Sequence, residues 1–186
     1  MIFRETKLKG AFVIEIEKIE DVRGLYARAW CQEEFEKHNL ETKIAQTNII
    51  YNKKKGTLRG FHYQEDPYQE VKLFRCTRGA MYDVIIDLRP ESSTYKNWIS
   101  VELSAQNYKM LYVPKNFAQA FLTLEDNTEI TYQVSQFYTP DYGRVIRYND
   151  PAFNVTWPIE VSVISDKDKN YPDSKSKGCD SFDTTH

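Results

Sequence analysis

His62 is one of three histidines in this 186-residue chain, and it stands among other groups able to do chemistry. It lies in Gly56-Thr-Leu-Arg-Gly-Phe-His-Tyr-Gln64, a strand-like, aromatic-rich stretch that also holds Arg59, and Lys72 follows on the next strand-like run. An imidazole titrates near neutrality and can act as a general acid or base. An arginine and a lysine close to it describe an anionic site. The plainer reading is a half-buried strand with a hydrogen-bonded core histidine.

A catalytic His62 needs a carboxylate that fixes its tautomer, and Asp168, Asp166 and Asp83 are the candidates. Tyr132, in Ile130-Thr-Tyr-Gln-Val134, can supply a proton from an opposite face. Strand parity puts Ile130, Tyr132 and Val134 on one side. If that side is interior, the hydroxyl needs a polar partner or a ligand; otherwise Tyr132 is an ordinary core tyrosine. Lys72 shares a face with Phe74 and Cys76, so it either snorkels from an edge strand or meets an anion. A regular strand sends Arg59 and His62 to opposite faces. Both reach one pocket only through a bulge, and Gly60 is the place for it.

Metal chemistry finds little support. His38, His62 and His186 form no HxH pair, and Cys31, Cys76 and Cys179 form no CxxC, so neither a metal nor a disulfide framework is expected. There is no GxGxxG, no P-loop and no βαβ alternation. The net charge of -2 argues against nucleic acid as a partner. No apolar run has the length of a signal-peptide core or a membrane span, so the expectation is a cytoplasmic protein.

These residues must be held by short strands. Thirteen tyrosines and ten phenylalanines, many beside Val, Ile and Thr, favour β structure. Strands are expected at 12–19, 25–30, 42–51, 98–103 and 109–113, with one short helix at 32–40. Residues 71–88 read as a hairpin with Gly79 in its turn, and 117–136 as another closing at Glu125-Asp-Asn127. The charged loop 52–56 reads as solvated. Turn signals every eight to twelve residues between 71 and 136 give an antiparallel sandwich, jelly roll or barrel. Trp157-Pro158 is expected to end the sheet, and Ile164 to Asp168 to begin a polar segment. The length suits one domain, 1–186, with a frayed polar tail at 175–186.

With His62, Lys72, Tyr132 and Asp168 in this order, the chain resembles the dTDP-4-dehydrorhamnose 3,5-epimerases, the RmlC family of nucleotide-sugar epimerases. The resemblance covers roughly residues 10 to 172. It is carried by Leu58-Arg-Gly-Phe-His-Tyr-Gln64, Lys72-Leu-Phe-Arg-Cys-Thr-Arg-Gly79 and Asp83-Val-Ile-Ile-Asp-Leu-Arg89, with Val101 to Asn107, Pro114 to Phe121 and Asp150 to Pro158 adding to it. It implies an all-β, cupin-like double-stranded β-helix (jelly roll) with a few short helices. It also implies a homodimer whose N-terminal strands cross to the partner, and catalysis without metal or cofactor.

The implied substrate is a nucleotide-diphosphate 4-keto sugar, either like dTDP-4-keto-6-deoxyglucose or a GDP-4-keto-heptose, of capsule or lipopolysaccharide biosynthesis. C3 alone, or C3 and C5, would be inverted. His62 would be the base, Asp168 its orienting partner, Lys72 the stabiliser of the enolate oxygen and Tyr132 the acid. Arg23 and Arg59 resemble the diphosphate ligands, Gln46 and Asn48 line the nucleotide site, and Tyr138 resembles the aromatic that packs on nucleotide or sugar. The chain departs from the family at three places. Gln119 stands where the family has histidine in Phe-Ala-His-Gly-Phe, Arg28 stands at an acidic position, and Ile49-Ile50 replaces His-Ser. Gln119 keeps open a silent sugar-nucleotide binding protein or a ketoisomerase on the same fold.

Overall fold

Short strands dominate the computed structural model, which describes residues 1–174; the expected tail at 175–186 lies outside the described residues. In chain order they are β1 (Ile2–Glu5), β2 (Phe12–Glu15), β3 (Ile19–Asp21), β4 (Gly24–Tyr26), helix α1 (Gln32–Lys37), β5 (Gln46–Asn52), β6 (Thr57–Gln64), β7 (Lys72–Arg78), β8 (Ala80–Asp87), β9 (Trp98–Ser104), β10 (Met110–Val113), β11 (Phe117–Thr123), β12 (Thr128–Val134), β13 (Gly143–Val145), β14 (Val163–Ile164) and helix α2 (Asp166–Lys169). One sheet runs β1-β2-β10-β7-β12-β5. The second runs β13-β6-β11-β8-β9, with β14 added in parallel beside β6. The ribbon β3-β4 stands apart from both. The fold is an all-β, cupin-like jelly roll with two short α-helices.

Neither expected hairpin forms. β7 pairs with β10 and β12, whereas β8 pairs with β9 and β11 in the other sheet. β11 and β12 likewise fall in different sheets. A glycine turn between two apolar runs reads locally as a hairpin. Here the chain turns at Gly79 (φ 73) and crosses to the facing sheet. A Cβ on Gly79 would lie 2.5 Å from Thr128 Oγ1 and 3.2 Å from its Cα, so the corner is packed as well as bent.

Both sheets are covered on their inner faces and over part of their outer faces. Between them lies a cluster that includes Phe74, Cys76, Met81, Ile85, Leu111, Phe117, Phe121 and Ile130. Outside the first sheet, Phe35 of α1 packs with Ile14, Leu73, Met110 and Tyr112. Outside the second, Ile146 and Phe153 cover Phe61, Val84, Ile86 and Ala118. Every residue of β11 is therefore buried, which explains why Phe-Ala-Gln-Ala-Phe-Leu-Thr does not alternate polar and apolar. Trp157-Pro158 does not end the sheet, because Val163 and Ile164 dock beside Thr57 and Leu58 after it. Among the described residues no helix is long and apolar enough to cross a membrane.

Candidate active site

The interior of the roll opens into a cavity of about 830 Å³ between the two sheets. Its lining includes His62, Lys72, Tyr132, Asp168, Gln46, Asn48, Arg59, Gln119 and Tyr138. Arg23 does not join them. It sits at the tip of the β3-β4 ribbon, its side chain 86% exposed and paired with Asp21 of the same ribbon.

Ladder register explains most of the placement. In β12, Tyr132 lies opposite Asn48 of β5 and Phe74 of β7, and Val134 lies opposite Gln46 and Lys72. These side chains form one wall. Tyr132 stacks on Phe74 with centroids 4.9 Å apart and planes 8° from parallel. The facing wall comes from β6 and β11, where Gln119 lies opposite His62 and Phe121 opposite Arg59. Two steps along β11 thus span three along β6, so the strand is irregular at Gly60, and Arg59 and His62 both line the cavity. A Cβ on Gly60 (φ 113) would approach Gln119 O at 2.6 Å and Ala120 Cα at 2.7 Å.

Asp168 is the carboxylate beside His62. Its Oδ1 lies 2.8 Å from His62 Nε2, while Oδ2 accepts from the Gly60 amide at 3.3 Å. β14 pairs with the start of β6, and Ser165 caps α2 by accepting the Asp168 amide at 3.1 Å, which delivers the carboxylate to the ring. Burial pushes the Asp168 carboxyl up, but the hydrogen bond and charge of His62, the Gly60 amide and Ser165 together hold it below its ordinary value. An ionised Asp168 can only accept, so His62 Nε2 is the donor, and the neutral form of the ring has its free lone pair on Nδ1. Asp166 lies at the start of α2 and does not line the cavity.

Lys72 is not on an edge strand. β7 is flanked by β10 and β12, and Lys72 is 6% exposed. Its Nζ donates to the His62 carbonyl at 3.0 Å and pairs with Glu70 Oε1 at 3.1 Å. Arg59 is steadied by Asn52 Oδ1, 2.9 Å from Nε.

Asp83, the third carboxylate considered for His62, lies beneath Gln119 instead. It is fully buried, accepts from Gln119 Nε2 through Oδ1, and its Oδ2 has no partner. Burial pushes it up to about 7, against the lowering effects of Gln119 and the Lys72 charge. Between about pH 4 and 7 the unfolded chain has released this proton and the folded chain retains it, so Asp83 lowers stability as pH rises through that window. Asp83→Asn removes the dependence. Urea unfolding at several pH values should show the variant gaining on the wild type from about pH 4 to about pH 7; a constant difference would refute the buried-proton assignment.

Several lining residues carry no distinctive sequence signal. Glu70 and Gln64 look like ordinary loop and strand-end polar groups. Lys167 is visible only as the neighbour of Asp168, and Arg144 lies on β13 with an ion pair to Glu65 at 2.9 Å. Of the family departures, Arg28 pairs with Glu34 at 2.8 Å. Ile49 is 70% exposed, and Ile50 lines the cavity.

A sequence model described as dTDP-4-dehydrorhamnose 3,5-epimerase matches residues 5–176. A relative from Sinorhizobium fredii, named dTDP-4-dehydrorhamnose 3,5-epimerase, is 36% identical over 92% of this chain and 89% of its own length. The crystal structure of the Bacillus anthracis dTDP-4-dehydrorhamnose 3,5-epimerase, with TDP and PPi bound, superposes with a TM-score of 0.89 at 35% identity, over 93% of this chain and 99% of that one. A 3'-monoepimerase from Streptomyces bikiniensis, in complex with dTDP-quinovose, gives 0.84 at 30% identity, over 90% and 85%.

Proposed function

The chain belongs to the dTDP-4-dehydrorhamnose 3,5-epimerase family, and we propose that it is an isomerase that inverts C3, or C3 and C5, of a nucleotide-linked 4-keto-deoxy sugar. The observation that carries this reading is His62 paired with the buried Asp168 on one wall of a cavity whose other wall presents Tyr132 and Lys72. A sugar ring between the sheets offers one face to each wall. A proton beside a ketone is acidic because the carbanion it leaves is an enolate. His62 takes that proton, and Asp168 stabilises the imidazolium. Lys72 donates to the enolate oxygen in a site partly closed to water. Tyr132 then protonates the same carbon from the other face, inverting it.

Tyr132 suits the acid role. Burial first, and then the Glu70 charge, raise its phenol above the ordinary value, against the lowering effects of Asn48 and Arg59. It therefore stays protonated at neutral pH. Arg59 and Lys167 are placed to meet a diphosphate. Gln46, Asn48 and Tyr138 are assigned to the nucleoside end, for which dTDP is taken because relatives hold TDP or dTDP-quinovose.

The reading includes a homodimer. Ile19, Val22 and Tyr26 expose apolar surface along the ribbon that carries Arg23, and a second copy would cover it and receive Arg23 as a further diphosphate ligand. Cys31 and Cys76 are free thiols, which fits a cytoplasmic enzyme.

Tyr132→Phe tests the division of labour. With dTDP-4-keto-6-deoxyglucose in heavy water, His62 still removes and returns a proton on its own face. Deuterium should enter with configuration retained, while net inversion falls by about 10²-fold or more. Parallel loss of exchange and inversion would contradict the assignment, and binding without any exchange by the wild type would favour a silent binding protein.

A further inference from the structure

An ammonium group has three N–H donors. Lys72 commits one to the His62 carbonyl at 3.0 Å and one to Glu70 Oε1 at 3.1 Å, which leaves the third for the cavity it lines. Glu70 is itself held. Its Oε2 accepts from Gln64 Nε2 at 3.3 Å. Gln64 is 3% exposed, and its two amide N–H groups are shared among Glu70 and the carbonyls of Tyr68 at 3.0 Å and Phe137 at 3.2 Å. Its Oε1 accepts the Thr139 amide at 2.6 Å. One buried glutamine therefore ties together the anchor of Lys72 and both sides of Tyr138, which lines the same cavity.

We propose that Glu70, supported by Gln64, is a positioning residue that aims the free N–H of Lys72 at the developing enolate oxygen and braces the Tyr138 segment on the same support. The proposal rests on the epimerase reading for the identity of that oxygen. Glu70 does not touch the reacting carbon; it acts through Lys72. It also contributes charge near Tyr132, which is faced by Glu70 from the β6-β7 loop, Arg59 from β6 and Asn48 from β5, with Phe74 stacked on its ring.

Glu70→Ala and Glu70→Gln separate anchoring from charge. In Glu70→Ala, kcat should fall by about 10–100-fold with KM changed by less than about threefold, because the donor is misaimed rather than removed. Glu70→Gln keeps an oxygen that accepts from Nζ, so it should recover kcat to within about fivefold of wild type. It lacks the charge, so the titration midpoint of Tyr132, followed by NMR of carbon-13 tyrosine without substrate, should fall. Retention of full kcat in Glu70→Ala, no rescue by glutamine, or an unmoved Tyr132 midpoint in Glu70→Gln would each overturn the proposal. If Glu70→Ala fails to fold, the near-isosteric glutamine variant and its NMR midpoint still decide. A wild type that exchanges no deuterium would instead sink the epimerase reading, and the substrate-free midpoint would still report on Glu70.

Discussion

Replacing His62 with asparagine lowers turnover by about 10²–10⁴-fold and removes solvent deuterium from the product. Asparagine is too short to put its amide where Nε2 lies 2.8 Å from Asp168, and an amide takes up no proton at neutral pH, so the variant loses both the base and its contact with the carboxylate. The His62 side chain is 47% exposed and carries little of the core, so the folded structure should persist. Steady-state kinetics and urea unfolding on the same preparation separate the two effects. A large kcat loss with an unchanged unfolding midpoint is the expected pair of results. Retained deuterium incorporation would remove His62 from the role of base.

Gly60→Ala carries the largest expected cost to the fold. At φ 113 an L-residue is strained, and its Cβ would meet backbone atoms of Gln119 and Ala120 at 2.6 and 2.7 Å. Neither neighbour is the end of a flexible side chain, and both belong to β11, which is buried along its whole length. Backbone strain and overpacking each cost about 1–3 kcal/mol, so the sum is about 2–6 kcal/mol, measurable as a lower urea midpoint at unchanged m. Activity should fall with it, because the irregularity at Gly60 puts Arg59 and His62 on one face. A variant that unfolds at the wild-type midpoint would show that β11 can retreat from β6.

Much of this site is legible in the amino-acid sequence. Strand parity groups Tyr132 with Ile130 and Val134 but leaves a core tyrosine as open as a cavity one, whereas the need for a bulge at Gly60 follows from the odd spacing of Arg59 and His62. Asp168 is one of three carboxylates that residue chemistry leaves open. The family resemblance selects Asp168, and the pairing of β14 with β6, across more than a hundred residues, is what physically separates it from Asp83 and Asp166. The two hairpins that do not form have a similar cause. Gly79 and Glu125-Asp-Asn127 mark turns correctly, but a turn does not record which sheet receives the next strand. For the same reason Lys72 can be taken for an edge residue, although β7 is interior. Glu70 carries no signal, and Gln64 carries none for its role beyond closing the stretch Leu58 to Gln64, since a carboxylate in a loop and an amide at a strand end are common on surfaces. Their roles come from contacts made only after folding.

The most direct measurement is proton NMR of dTDP-4-keto-6-deoxyglucose incubated in heavy water with the wild-type protein and with His62→Asn. The account predicts loss of the C3 proton signal, joined by the C5 signal if both centres are inverted, with the wild type only. Persistence of both signals with the wild type, or their loss with His62→Asn, would contradict the claim that His62 generates an enolate beside the 4-keto group.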